Sequence, residues 1–331
     1  VGFSHFAIEI TELPAMPKIA FSTLACPTWD FEQIVTAGIR DGYDGVEIRQ
    51  VGGETDLLTV PAFERSRRTA SREFLKRART SAGSRSFSIC GLASSVRFDY
   101  PLESQRDAQF AIGKAYVELA AELEAGFVRV FGDVLPASSK SASSKSAASK
   151  PVERELALDQ IADGLNRLGD FAAPHEIDIL LETHGDFADS TAVKDLFGRI
   201  NSPRVGVLWD THHPWRFYEE SPESTFTNLK PWIRHTHWKD SITLQHEPSQ
   251  AGVTEAEQGA FALMSGHRHA DYVLFGSGEF PIAQFVRLLK DSGYDGWLSL
   301  EWEKMWHPEL AGPEVALPLF AKKMREFWSM A

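Results

Sequence analysis

Short apolar runs alternate with longer amphipathic segments along most of this chain. Lys18 to Ala25 reads as a first strand, and Asp30 behind it is placed to cap a helix reaching Asp41. Gly42-Tyr43-Asp44-Gly45 is a turn into a second strand, Val46 to Arg49, followed by a charged helix from Pro61 to Ala82. Arg85 to Leu92 is a third strand, Ser104 to Ala125 has apolar residues at helical spacing, and Phe127 to Phe131 is a fourth strand. The alternation then continues through helix Val152–Ala173, strand Ile177–Glu182, helix Thr191–Ile200 and strand Val205–Asp210. A short helix at Pro222–Leu229 leads to strand Ile233–His237. Helix Pro281–Ser292, turn Gly293-Tyr294-Asp295-Gly296, strand Trp297–Glu301 and helix Pro313–Met330 complete the pattern.

Eight strands, each followed by a helix, predict a parallel sheet, and eight units suit a single closed (β/α)₈ barrel of about 250 residues plus insertions. An open doubly wound sheet would place a glycine-rich phosphate turn after its first strand. Here that position reads Cys26-Pro27-Thr28-Trp29. The barrel is therefore assigned to residues 18–331, with 1–17 as an N-terminal extension. Ala137 to Lys150 contains only Ala, Ser and Lys, which have nothing to bury, and is expected to be a loop without assigned function. Residues 245–271 form a long polar loop, the kind that often serves as a lid or binding loop.

Charge and composition narrow the function. The formal net charge is −12 and no Lys/Arg stripe follows a candidate binding face, which argues against nucleic-acid binding. No apolar run reaches the roughly 18 residues of a membrane helix, and Val1–Ile10 lacks the basic start of a signal peptide. Two distant cysteines, Cys26 and Cys90, fit a reduced, cytoplasmic setting.

Four of the strands end on a residue that does not belong in an apolar run: Glu182, Asp210, His237 and Glu301. Burying an unpaired charge is costly, so four in succession point to a shared partner. Separate ion pairs or helix caps are the plainer alternative, but Lys and Arg are scarce beside these motifs. Barrel enzymes carry their active sites at the C-terminal strand ends, where the four side chains would converge. Three carboxylates and one imidazole make an oxygen-rich set that suits one divalent ion, Mn²⁺ first, with Mg²⁺, Co²⁺ or Zn²⁺ as alternatives. Two open positions on an octahedral ion would accept neighbouring sugar oxygens.

The sequence resembles the xylose-isomerase-like TIM barrels, the sugar phosphate isomerases/epimerases, over nearly the whole chain after Lys18. The marks are Gly-Tyr-Asp-Gly-Val-Glu (42–47), Leu-Glu-Thr-His (181–184), Trp-Asp-Thr-His-His (209–213), His-Trp-Lys-Asp (237–240), Gly-Ser-Gly-Glu-Phe (276–280) and Gly-Tyr-Asp-Gly-Trp-Leu-Ser-Leu-Glu (293–301). The resemblance implies that Glu182, Asp210, His237 and Glu301 hold the metal and that Glu182 and Glu301 also move protons, as in ketose 3-epimerases. It implies a small sugar or polyol substrate, allows a homo-oligomer, and predicts a metal-stabilised enediolate formed next to a carbonyl. A metal-dependent dehydratase of an inosose or related keto acid would use the same first step. An endonuclease IV-like nuclease would need histidines from early strands, where only His5 precedes His175. A non-catalytic sugar-binding barrel would not need an intact ligand set.

Other residues carry two readings each. Strand alternation pairs His212 with Asp210, whereas the family pattern selects His213 as a substrate contact. Glu47 is either a substrate contact or a partner of Arg49 or Lys239, and Lys239 either reaches substrate or holds Asp240 or Glu47. Trp29 and Trp215 either offer indole faces to a sugar or cap the core. His235 is expected to bond within the barrel, Glu303 to replace Glu301 if the last strand runs on, and Gly276-Ser277-Gly278 to shape a loop rather than bind phosphate.

Overall fold

Eight parallel strands close into a barrel in the computed structural model, which describes residues 16–81, 87–136, 151–243 and 270–331. The barrel strands are β1 (Lys18–Ser22), β2 (Gly45–Ile48), β3 (Ser88–Arg97), β4 (Phe127–Phe131), β5 (Asp178–Glu182), β6 (Val205–Asp210), β7 (Ile233–Trp238) and β10 (Trp297–Leu300). Each pairs with its sequence neighbour, and β10 closes the ring between β7 and β1. Between them run α1 (Phe31–Arg40), α2 (Arg68–Ser81), α3 (Glu103–Glu122), α4 (Pro151–Ala172), α5 (Ser190–Phe197), α6 (His212–Tyr218), α7 (Pro222–Leu229) and α8 (Ile282–Asp291), with α9 (Pro313–Met330) at the end. The fold expected from the alternation is the fold observed.

Local chemistry sets the boundaries. Asp30 caps α1 in a reciprocal box: its carboxylate accepts from the Gln33 amide at 2.8 Å, and the Gln33 side chain accepts from the Asp30 amide at 2.9 Å. The twin Gly-Tyr-Asp-Gly turns start with Gly42 and Gly293 at φ +82° and +72°, a conformation that glycine enters without a Cβ clash. Tyr43 from the first turn reaches across to the Leu317 carbonyl of α9 at 2.7 Å, tying the first and last units together.

Two features depart from the alternation. β3 runs on to Arg97, past the expected end at Leu92, because the Ser94 hydroxyl donates to the Arg129 carbonyl at 2.7 Å and so can stay buried in the strand. A small antiparallel ribbon, β8 (Asp240–Ile242) with β9 (Asp271–Val273), brackets the long polar loop. Residues 245–269 of that loop, the Ala/Ser/Lys stretch 137–150 and residues 1–15 of the expected N-terminal extension lie outside the described residues. No helix among the described residues is long and apolar enough to cross a membrane.

The core has two shells. Helices pack on the outer face of the barrel through a large apolar cluster that includes Trp209, Trp238, Phe285 and Phe320. Ala20, Cys90, Phe127, Leu180 and Leu208, from five strands, form a separate inner cluster. Strand side chains alternate in direction, so the positions two residues further along β4, β5 and β6 continue up the same wall. Those positions are Arg129, Glu182 and Asp210.

The inner wall is packed to its limit at Gly91, where a Cβ would stand 2.2 to 2.4 Å from three carbons of the Phe127 ring. Gly91→Ala should therefore destabilise the barrel by about 1–3 kcal/mol, read as a lowered urea midpoint with an unchanged m-value.

Candidate metal centre

Each predicted donor reaches the barrel mouth from its own strand. Register places Asp210 of β6 beside His237 of β7, and Glu182 of β5 beside Leu208 of β6. Leu300 of β10 pairs with Trp238, which brings Glu301 alongside Lys239. Glu182, Asp210, His237 and Glu301 are all buried, and each offers a donor atom within 4.8 Å of the other three. Donors about 2.1 Å from a common ion lie no further apart than this.

The imidazole of His237 organises the group. Its Nδ1 faces Glu182 Oε1 at 3.3 Å and Glu301 Oε1 at 3.4 Å. Its Nε2 lies 2.7 Å from Glu47 Oε2, which also meets His235 Nε2 at 3.0 Å. Glu47 is thus a fully buried carboxylate behind the imidazole, an arrangement that turns the opposite nitrogen toward a metal. Burial works to raise the Glu47 carboxyl, but the His237 and His235 charges and hydrogen bonds hold it below the usual range. Burial works against an imidazolium at His237, yet Glu301, Glu47 and Glu182 together raise it well above the ordinary value.

Asp210 divides its oxygens. Oδ1 accepts from the backbone amides of His212 and His213 at 2.8 and 2.9 Å, which starts α6 and explains the sharp turn there. Oδ2 lies 2.8 Å from the Lys239 ammonium. Burial lifts this carboxyl to about 6 against the pull of Lys239. The same turn separates the two histidines. His212 Nε2 meets the Ser241 hydroxyl at 2.7 Å, whereas His213 Nε2 faces Lys239 Nζ at 3.1 Å and Asp210 Oδ2 at 3.6 Å. His213 Nδ1 sits 3.0 Å from the Thr183 carbonyl, so it carries the proton and Nε2 presents a lone pair. Burial and the Lys239 charge keep this imidazole neutral.

Lys239 is fully buried among carboxylates. Its ammonium contacts Asp210 Oδ2, Glu301 Oε2 and, at 2.8 Å, Glu303 Oε1. Burial disfavours the charge, but Asp210, Glu301 and Glu303 hold its pKa well above the ordinary value. Glu303 therefore faces the ammonium, while Glu301 takes the place beside His237.

Two arginines complete the cluster: Arg129, which the sequence reading did not assign, and Arg49, expected there as a partner of Glu47, whose partners are instead His235 and His237. Arg129 of β4 places Nη1 2.9 Å from Glu182 Oε2 and stacks its guanidinium 3.9 Å from the centre of the Phe131 ring. Arg49, just past β2, bonds to the Ser95 hydroxyl and the Thr55 carbonyl, and Arg129, Glu182 and Glu301 act on it electrostatically. A lone arginine in the middle of Phe127-Val128-Arg129-Val130-Phe131 is the signal that marks such a residue.

The expected aromatic contacts lie apart from this cluster. Trp29, half-buried after β1, lines a surface groove with Asp30, Gln33, Arg40 and Glu314. Trp215 packs its ring 5.3 Å from Phe280 and 5.8 Å from His212, one layer outside His213. Gly276-Ser277-Gly278 is filled from within: the amides of Gly276 and Gly278 donate to Asp240 Oδ2 at 2.9 and 2.8 Å, and those of Ser241 and Phe280 donate to Oδ1.

The cluster fits a divalent cation. With His237 neutral, as an imidazole on a metal is, five carboxylates (Glu47, Glu182, Asp210, Glu301 and Glu303) face three fixed cations (Arg49, Arg129 and Lys239), and two negative charges are left to be balanced. Glu182 Oε2 and Asp210 Oδ2 are buried without a well-formed hydrogen bond, although a cation flanks each. Oxygen donors with one imidazole are the chemistry of a hard or borderline divalent ion.

A family model described as xylose isomerase-like TIM barrel matches residues 36–322. An inosose dehydratase of Klebsiella pneumoniae (strain 342) is 29% identical over 169 residues, 50% of this chain and 53% of that protein. The chain thus spans about half the length of the curated relatives it matches. Among solved structures, the IolI protein with a binding zinc atom superposes with a TM-score of 0.68 at 16% identity, covering 95% of this chain and 98% of that one. The probable 3-DHS dehydratase AsbF of Bacillus anthracis gives 0.67 at 18% identity, covering 93% and 98%. At such identities the two structures speak for the fold alone.

The carboxylate behind His237 supplies a test of the centre. Glu47→Gln should keep the barrel folded, by circular dichroism, and weaken divalent-ion binding about 10- to 100-fold in calorimetry.

Proposed function

The chain belongs to the xylose isomerase-like TIM barrel family, and on that footing we propose that it is a divalent-metal-dependent dehydratase of an inosose or a related cyclic polyol ketone. The observation that carries this reading is the direct contact between the Glu301 carboxylate and the buried Lys239 ammonium. Elimination of water needs a base at the C–H and an acid at the departing hydroxyl, and two such groups in contact can reset each other by passing a proton.

A divalent ion, Mn²⁺ in this proposal, would be held by Glu182, Asp210, His237 and Glu301 and would polarise the substrate carbonyl, acidifying the neighbouring C–H. The zinc atom named for the similar IolI structure supports a divalent ion for this fold. Glu301 takes the proton from that carbon, and the electron pair forms a carbon–carbon double bond toward the carbon bearing the hydroxyl. The C–O bond of that hydroxyl breaks, and Lys239 supplies the proton with which it leaves as water. Glu301 then returns its proton to Lys239 through their contact, and both groups are restored. Arg129 holds Glu182 ionised, and neutral His213 offers Nε2 to Lys239 or to a substrate hydroxyl.

The names of the curated relatives support the dehydratase reading. Isomerisation or epimerisation of a ketose is the second reading. It is favoured by the approach of Glu182 and Glu301, from different strands, to the same His237 nitrogen. Two carboxylates so placed suit removal of a proton on one side and its return on the other.

Mn²⁺-supplemented protein should be incubated in D₂O with inososes and ketoses, with products read by NMR and mass spectrometry. The expected product has lost water, and Glu301→Gln should lower both water loss and deuterium exchange next to the carbonyl by about 10²- to 10⁴-fold. A product of unchanged composition that carries one deuteron would assign the epimerase reading instead.

A further inference from the structure

We propose that the Lys239 ammonium fills a second cation site and thereby keeps this centre mononuclear, an inference that rests on the divalent-ion reading above. The donors around Lys239 Nζ are those of a metal site. Asp210 Oδ2 and Glu303 Oε1 stand at 2.8 Å, His213 Nε2 at 3.1 Å, and Glu301 Oε2 completes the ring. His213, Glu301 and Glu303 offer donor atoms within 4.8 Å of one another, the same spread that relates the four donors around His237. Asp210 and Glu301 belong to both surroundings, so two ions there would be joined by shared carboxylates.

Two further observations point to a ligand rather than a casual ion pair. The His213 Nδ1–H is committed to the Thr183 carbonyl, which leaves Nε2 with the lone pair that a metal takes and that an ammonium only borrows. Glu303 Oε2 is buried without a hydrogen bond, although its sister oxygen is bound. An ammonium has three hydrogens, and here it faces four acceptors. It satisfies the ring incompletely, whereas an ion of six coordination positions would not be so limited.

The lysine is held in place from behind. Asp240, the next residue, points the other way and accepts four backbone amides from Ser241, Gly276, Gly278 and Phe280. The main chain at Lys239 is thus pinned while the side chain is extended into the carboxylates. A tethered single charge takes the position and does not dissociate, so the centre works with one exchangeable ion instead of two.

The test is the metal stoichiometry of the apo protein titrated with Mn²⁺, measured by calorimetry and by metal analysis after gel filtration. Wild type should bind one equivalent, Lys239→Met two, and Lys239→Met/Glu303→Gln one again, with folding of each checked by circular dichroism. A Lys239→Met protein that still takes one ion, or a wild type that takes two, overturns the inference. A wild type that binds none overturns the divalent-ion reading itself and this inference with it. If Lys239→Met does not fold, the crystal structure of Mn²⁺-loaded wild type decides. Lys239 Nζ should remain bonded to Glu303 and His213, and an ion found in its place would refute the proposal.

Discussion

Five carboxylates packed into the mouth of one barrel are the constraint that the rest of this molecule answers to. Such a group cannot stay ionised and out of water unless cations meet it at hydrogen-bonding distance. Arg129, Lys239 and the imidazole of His237 do so, from β4 and from β7 with its end, while Arg49 acts on the group electrostatically from the end of β2. Taking away one partner of a buried pair typically costs about 3–5 kcal/mol, so the strand ends are locked together by their charges as well as by their ladders. When His237 gives up its proton, the charge left over is that of one divalent ion, which makes the fold and the chemistry two sides of one balance.

Period-two alternation delivers the charges. Phe127, Leu180 and Leu208 point inward and fill the lower barrel, and two residues on, Arg129, Glu182 and Asp210 occupy the level above. In β7 the inward positions are His235 and His237, with Lys239 following, while Trp238 faces Phe275, Phe280 and Phe285 on the helical side. An apolar floor beneath a charged layer excludes water from below and strengthens every interaction at the mouth.

Much of this was legible in the sequence. The eightfold alternation gave the barrel, and Glu182, Asp210, His237 and Glu301 stood out because a charged side chain ends an apolar run at each. Arg129 escaped notice because a single arginine inside a buried strand has no local partner; its carboxylate arrives from β5, 53 positions on by the numbering. Glu47 kept two readings for the same reason, since His237 lies 190 residues away. The α6 helix was hidden by its brevity, and it starts where the Asp210 carboxylate, one residue before the N-cap Thr211, accepts its first two amides. The Gly276-Ser277-Gly278 turn was read as shaping a loop rather than binding phosphate, and Asp240 fills it. Pairings across the barrel are a property of register and closure, which single-strand patterns do not encode.

The contact between Glu47 of β2 and His237 of β7 also bears on how the chain comes to be. A link of such long sequence separation must meet the loop-closure entropy of the chain between its ends. The last carboxylate, Glu301, follows β10, the strand that seals the ring against β1. The four donors Glu182, Asp210, His237 and Glu301 therefore meet only when the final strand is in place. An ion held by all four donors would then bind the closed barrel alone and stabilise closure by the free energy of its binding.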